Sequence, residues 1–410
     1  MVEHLREGKA PSSTGEGISS KRFILPSLVL ARGVTQPPLI ITGLLLIEVG
    51  NTFGVPVGVS GQIRTASFII SIIFALLMGA LSVKFRSKSL LMSGLVIYVA
   101  SSFGCYFAPD YNVMLIVFSM TGLAFGMVVP MVITLIAEQL PQEKRAGAIG
   151  WTNAGASLTS LFGTFFVNYI ANLSGWRWTF LGFALPLSVL SLLLVAAKVP
   201  YNPERIHSTI KKESYVEGFR EAFSKRSANA CLIGTILSIA SYHFLFTYGA
   251  SFWRQRFLVS TDLASYLIMG LGLGFTVGSL ICERVVKKIG VKPSTVFSTF
   301  IVGVLILFTA IVPSLSLSIV LGWASAIFAG MMITAFSSLT LEQVPRFRGT
   351  MMSLSSAALS TGAAVGTGLG GLVLLSFDYT ILGLTLGSMG VLAASIFYLF
   401  TVDKNTDYIS

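Results

Sequence analysis

Charge is scarce in this chain. Of 410 residues only 11% are Asp, Glu, Lys or Arg, against about 25% in soluble domains, which excludes an ordinary soluble globular protein. Cysteine and histidine are scarce too, with three of each. Cys105, Cys231 and Cys282 lie in or beside apolar runs with no CxxC spacing, so neither a disulfide framework nor a thiolate metal site is expected. Phosphate-binding GxxxxGK(S/T), HExxH and GxSxG are all missing. No enzyme, cofactor or metal chemistry is therefore expected, and without a nucleotide site any work must draw on a gradient.

Long hydrophobic runs take the place of these features. Apolar residues make up 54% of the chain and recur from about residue 37 to 401. A bilayer core of about 30 Å needs roughly 20 apolar residues per helix, and twelve such runs can be placed. Six lie within 37–197 and six within 228–401, which predicts an all-α membrane protein with twelve transmembrane helices in two six-helix bundles. Residues 1–36 read as a cytoplasmic tail ending in an interfacial segment rather than a cleaved leader. The polar stretch 198–227, with Pro200, Pro203, Lys211, Lys212 and Arg220, reads as a cytoplasmic linker, and 402–410 as a cytoplasmic tail.

The net charge of +11 does not imply nucleic acid, because the basic residues are scattered through short loops. They follow the bias that keeps Lys and Arg on the cytoplasmic side. With both termini inside, only Arg64, Arg177, Arg254 and Arg256 of the 28 basic residues fall outside, which predicts a multi-pass protein of the cell membrane.

The halves repeat one another. Glu138-Gln139-Leu140-Pro141, followed by Arg145 and Gly147, returns 204 residues later as Glu342-Gln343-Val344-Pro345, followed by Arg348 and Gly349. Gly79 to Arg86 after the second run is echoed by Gly278 to Val285 after the eighth. Duplicated six-helix units predict pseudo-symmetric bundles.

These features are similar to the major facilitator superfamily over about residues 37–401. Gly79, Leu81, Lys84 and Lys88 match its loop motif after span two. Gly122, Gly126 and Pro130, the Glu138-Pro141-Arg145 series, and Gly175-Trp176-Arg177-Trp178 add further matches. Departures are Val83 in place of an acid, Arg86 in place of a turn glycine, Phe118 in place of an arginine, and a fifth span without proline. The resemblance implies a secondary active transporter working by alternating access, of a drug or metabolite efflux type, with proton-coupled efflux as the first expectation. Uniport or proton-coupled uptake is the alternative within transport. A membrane sensor or scaffold that binds without turnover is the alternative of another class.

Candidate site residues follow from chemistry. Glu48, read near the middle of span one, would cost about 2.5–3.5 kcal/mol in lipid and must face protein or water. Asn51 and Thr52 lie within a turn of it and can hydrogen-bond it. The resemblance pairs span one with span seven, making Tyr242, His243 and Tyr248 cavity candidates, with Asn153 of span five. Gly79, Lys84, Arg86, Glu138, Arg145, Glu283, Arg284, Glu342 and Arg348 are expected to form a cytoplasmic gate of charges paired between halves. Small residues at four-residue spacing, Gly155 and Gly163 in span five and Gly362, Gly366 and Gly370 in span eleven, suggest seams on which the halves rock. The absence of basic residues from the middle of any run argues for a small amphipathic or hydrophobic solute. Expected partners are that solute, protons and the lipid bilayer, with a monomeric chain.

Overall fold

A backbone in hydrocarbon must satisfy its own polar groups, which leaves helices as the economical solution for these apolar runs. The computed structural model describes residues 16–200 and 212–402, and among them there are helices and no strands. In chain order the helices are α1 (Glu16–Gly33), α2 (Pro37–Leu44), α3 (Leu46–Phe53), α4 (Val57–Ser60), α5 (Gln62–Lys84), α6 (Ser87–Phe107), α7 (Tyr111–Gln139) and α8 (Gln142–Ser174). After a π-helical turn at Phe180–Ala184 come α9 (Leu185–Lys198), α10 (Lys212–Ser224), α11 (Arg226–Phe257), α12 (Thr261–Ile289), α13 (Val291–Ile311), α14 (Leu315–Gln343), α15 (Arg348–Ser376) and α16 (Tyr379–Phe400).

Eleven of the described helical segments are long and apolar enough to cross a membrane. The twelfth crossing is α8, whose 33 residues are long enough but are diluted by Thr152, Asn153, Ser157, Thr159, Ser160, Thr164 and Asn168. An even number of crossings puts residues 16 and 402 on one face, here the termini face; the other is the far face.

The first span starts earlier than the sequence suggested. Its apolar stretch runs Phe23–Leu44, inside the expected tail. Ile24, Leu28, Ala31 and Val34 are buried, with α1 packed on α8 and α9. Proline is tolerated in a helix's first turn, and α2 begins on Pro37 and Pro38. The span continues through a break at Leu45 into α3, which ends at Gly54 with φ +66. Glu48 therefore sits near the far face rather than at mid-span.

The internal repeat extends to the helices themselves. Ser87–Phe107 recurs as Val291–Ile311, and Tyr111–Gln139 as Leu315–Gln343, all displaced by the 204 residues that separate the two Glu-Gln-x-Pro runs. Contacts repeat as well. Lys88 Nζ donates to the Ala196 carbonyl at 2.8 Å, and Lys292 Nζ to the Thr401 carbonyl at 2.6 Å, so in each half a lysine caps the end of the last helix. A Cβ on Gly126 would come within 3.0 Å of the Ser71 carbonyl, and one on Gly330 would overlap the Phe275 carbonyl. The fourth span of each half thus lies directly on the second, through a glycine at the same register.

The two halves meet chiefly along two helix pairs, α5 with α15 and α8 with α12, with α2 against α11 between them. By the repeat, each of the two chief pairs joins one half's second span to the other's fifth. The expected rocking seams lie elsewhere: Gly155 meets Val29 of α1 and Gly163 meets Ile40 of α2, while Gly362 and Gly366 meet Ile236 and Ala240 of α11. Those small residues pack each half internally. Within the linker, α10 docks on α11 and α15.

Candidate functional site

At the far face the halves are joined by directional polar contacts. Arg254, near the end of α11, places Nη2 2.7 Å from Glu48 Oε1 and Nη1 3.0 Å from Oε2, a two-pronged ion pair largely shielded from solvent. Asn168 and Asn172 of α8 donate to Asp262 Oδ1 of α12 at 2.8 and 2.6 Å. Gln62 donates to the Gly368 carbonyl at 3.2 Å, and Thr65 to Thr367 Oγ1 at 3.0 Å. One contact deeper, the Ser71 and Ser360 hydroxyls lie 3.2 Å apart. The far side is closed in this conformation.

Behind this closure a small cavity opens in the N-terminal half. It is lined by Thr35, Pro38 and Leu39 at the start of α2, Ser67, Phe68 and Ser71 of α5, Tyr98 of α6, and Thr121, Gly122 and Phe125 of α7. Ser67 and Thr121 hydroxyls are 2.9 Å apart across it. The C-terminal half reaches its edge through His243, whose ring meets Phe68 edge-on at 5.5 Å. Hydroxyls and rings mix in its lining, and in this conformation the space has room for about one water.

The expected site residues divide between these places. Glu48 belongs to the far-face closure and is absent from the cavity wall. Thr52 Oγ1 donates to the Glu48 main-chain carbonyl at 2.8 Å and accepts from Trp176 Nε1 at 2.8 Å, so it supports the helix end rather than the carboxylate. Asn51 and Asn153 are exposed. His243 is buried, its Nδ1 2.8 Å from Thr247 Oγ1, and Tyr242 is buried between Phe246 and Phe275. Tyr248 is a brace: its hydroxyl donates to the Thr367 carbonyl at 2.6 Å, and its ring fills the space left by Gly61 and Gly370.

The expected gate charges sit at the termini face, where several pair locally. Glu138 accepts from Ser87 Oγ at 2.6 Å, Arg145 Nε donates to the Leu140 carbonyl at 3.0 Å, and Glu283 pairs with Lys287 of its own helix at 2.6 Å. Arg86 and Arg284 are exposed, and Glu342 is partly buried. The surroundings of Gly79 and the side chains of Lys84 and Arg348 lie outside what is described.

Two arginines expected on the outer side, Arg64 and Arg254, take part in contacts that the sequence did not suggest. Arg254 lies two residues beyond the position 204 on from Glu48, so the repeat offset was the signal that could have paired them. Arg64 is fully buried. The short turn α4 carries its span outward to Val57, so Arg64 lies about two turns inside it. The Gly58-Val59-Ser60-Gly61 run hides this by reading as loop.

Twelve crossings in two repeated halves, with a closure on one face and a cavity behind it, define a membrane carrier. The family model of the Major Facilitator Superfamily matches residues 38–272 and 230–408, and the chain belongs to that superfamily, a class of secondary transporters. It is 27% identical to the uncharacterized MFS-type transporter YceJ of Bacillus subtilis over 82% of this chain and 85% of that one. It is also 24% identical to a probable sugar efflux transporter of Mannheimia succiniciproducens, over 60% of this chain and 61% of the relative. Among solved structures, a D-xylose-proton symporter superposes with a TM-score of 0.77 at 17% identity, covering 93% of this chain and 98% of that one. The nucleoside transporter NupG superposes with 0.75 at 16%, covering 92% and 99%.

Proposed function

We propose that this chain exports a small amphipathic organic solute across the cell membrane by alternating access, with the termini face cytoplasmic and protons as the driving ion. The observation that carries the reading is the far-face closure, in which Glu48–Arg254 and Asp262 with Asn168 and Asn172 tie the halves together outside a cavity lined by hydroxyls and rings. Ion pairs and hydrogen bonds between rigid bundles can be made on one face and broken as the other opens, which is what a two-state carrier requires. The name of the probable sugar efflux relative supports export as the direction, and the Lys and Arg of the termini-face loops support a cytoplasmic placement. No phosphate-binding motif competes with a gradient as the energy source.

The test begins with thermal-shift screening of the purified chain against a library of small organic solutes. Each stabilising compound is then followed by flux under an imposed pH gradient in proteoliposomes, with and without a protonophore. Saturable flux that loses its concentrative drive with the protonophore is expected. Saturable binding with no flux would assign the fold a sensing role instead, and flux indifferent to the protonophore would make it a uniporter.

A further inference from the structure

Arg64 is a buried cation with unmet valence. Its side chain is wholly enclosed, yet only Nη1 has a partner, the Phe246 carbonyl at 3.2 Å, and Nε and Nη2 have none. The guanidinium sits 5.2 Å over the Phe246 ring and faces Gly43, where even a Cβ would lie 3.5 Å from Nη1. A guanidinium stays charged in a protein, and enclosing it beside one carbonyl and one aromatic face is costly unless an anion completes the site.

Its position relative to the cavity gives that anion a route. On α5, Ser67, Phe68 and Ser71 line the cavity, and Arg64 precedes them by three, four and seven residues, hence on the same helix face, one turn nearer the far side. On α2, Leu39 lines the cavity and Gly43, which meets Arg64, follows it by four. Both helices therefore carry the line of the cavity toward the guanidinium, which lies one turn beyond its lining. At the opposite flank a second guanidinium, Arg32, is already engaged, with Nη1 3.1 Å from Thr35 Oγ1 and its charge 5.9 Å from the Phe125 ring. Arg32 is bonded through Nη1 alone as well, but it is only partly buried, so water can meet its remaining donors, whereas those of Arg64 are sealed in.

We propose that Arg64 receives the carboxylate of the transported solute, and that the substrate class is organic monocarboxylates with an apolar or aromatic body. A planar fork with Nε and Nη2 both available matches a carboxylate bidentately. The rings of Phe68, Phe246 and His243, which contact one another at 5.5 and 5.6 Å, supply an apolar surround that excludes water from the pair. This assignment rests on the transport reading for its route, and it revises the solute expected from sequence, which took the mid-span region to hold no cation.

The test is calorimetric binding of benzoate, phenylacetate and hexanoate to the purified full chain at neutral pH, each beside its primary amide. At least one acid is expected to bind tenfold or more tightly than its amide. Arg64→Gln should bring the acid and amide to equal affinity, Arg64→Lys should retain part of the preference, and Arg32→Gln should leave it in place. Equal affinities in the unsubstituted chain, a preference that survives Arg64→Gln, or one that Arg32→Gln removes would each overturn the assignment. The unsubstituted comparison needs no variant to fold. Counterflow of the preferred acid separates the two readings: binding without flux sinks transport and keeps the carboxylate site, whereas flux of neutral solutes with no acid preference does the reverse.

Discussion

Arg254 meets Glu48 with both terminal nitrogens on both carboxylate oxygens, at 2.7 and 3.0 Å, across the division between the two halves. The one membrane-helix acid that sequence singled out is therefore engaged in holding the far face shut.

Breaking this pair shifts the balance between closed and open states. A charge-assisted hydrogen bond contributes about 1.5–3 kcal/mol, so Glu48→Gln should raise the far-face-open population roughly ten- to a hundredfold. Spin labels on cysteines at Asn51 and Leu258, both exposed at that face, would report the distance, because the native cysteines are buried. The charge-swapped double variant Glu48→Arg with Arg254→Glu should restore the short distance; a single variant with an unchanged distribution would remove the pair from the closure.

Asp262 is the second tie, and it is separate from the first. Asp262→Ala removes the acceptor of Asn168 and Asn172, and its effect on the same distance should add in free energy to that of Glu48→Gln within about 0.5 kcal/mol. Strong non-additivity would mean that the two ties do not act on one rigid-body equilibrium.

Arg64→Met should stabilise the empty protein. Replacing a buried, incompletely paired charge with an apolar side chain of similar volume is often worth about 1–4 kcal/mol, seen as a higher melting temperature in detergent. A lower melting temperature would show that the Phe246 carbonyl bond and ring contact outweigh the burial cost.

Close helix approaches set a contrast among glycines. A Cβ at Gly278 would collide with the Ile327 carbonyl, while one at Gly272 on the same helix meets nothing within 4 Å. Overpacking costs about 1–3 kcal/mol, so Gly278→Ala should lower the melting temperature. Gly272→Ala should leave it level or raise it by up to about 1 kcal/mol of stability.

The repeat makes a matched prediction for Lys88 and Lys292. Substituting either by methionine uncovers a helix-end carbonyl, at a cost of about 1–2 kcal/mol. The two melting shifts should agree, and a large disparity would mean that the mirrored bonds carry unequal weight.

Fold and family were legible because lipid imposes a coarse rule, about twenty apolar residues per crossing, and because the 204-residue echo survives in loops and glycines alike. The site was less so. Arg254 read as lying beyond its span and Arg64 as lying at the outer end of its own, since hydropathy windows blur helix ends and short turns such as α4 extend a span without adding apolar length. Glu48 stood out because a carboxylate is costly in hydrocarbon, but its partner comes from the other half, 206 residues away in sequence, and only the repeat hinted at that pairing. Tyr248 looked like a cavity residue for its hydroxyl, whereas the glycines of α5 and α15 that accommodate it give it a bracing task.

The opening crossing is jointed, with α1, α2 and α3 separated near residues 34–36 and at Leu45. A jointed rod passes on less bending torque than a continuous one, because its joints take up dihedral change. The inner segment can stay docked on α8 and α9 while the outermost one tilts with whichever neighbour Glu48 is gripping. Parting the bundles at that rim thus need not drag the buried base of the helix with it, and the acid travels on a linkage instead of a lever.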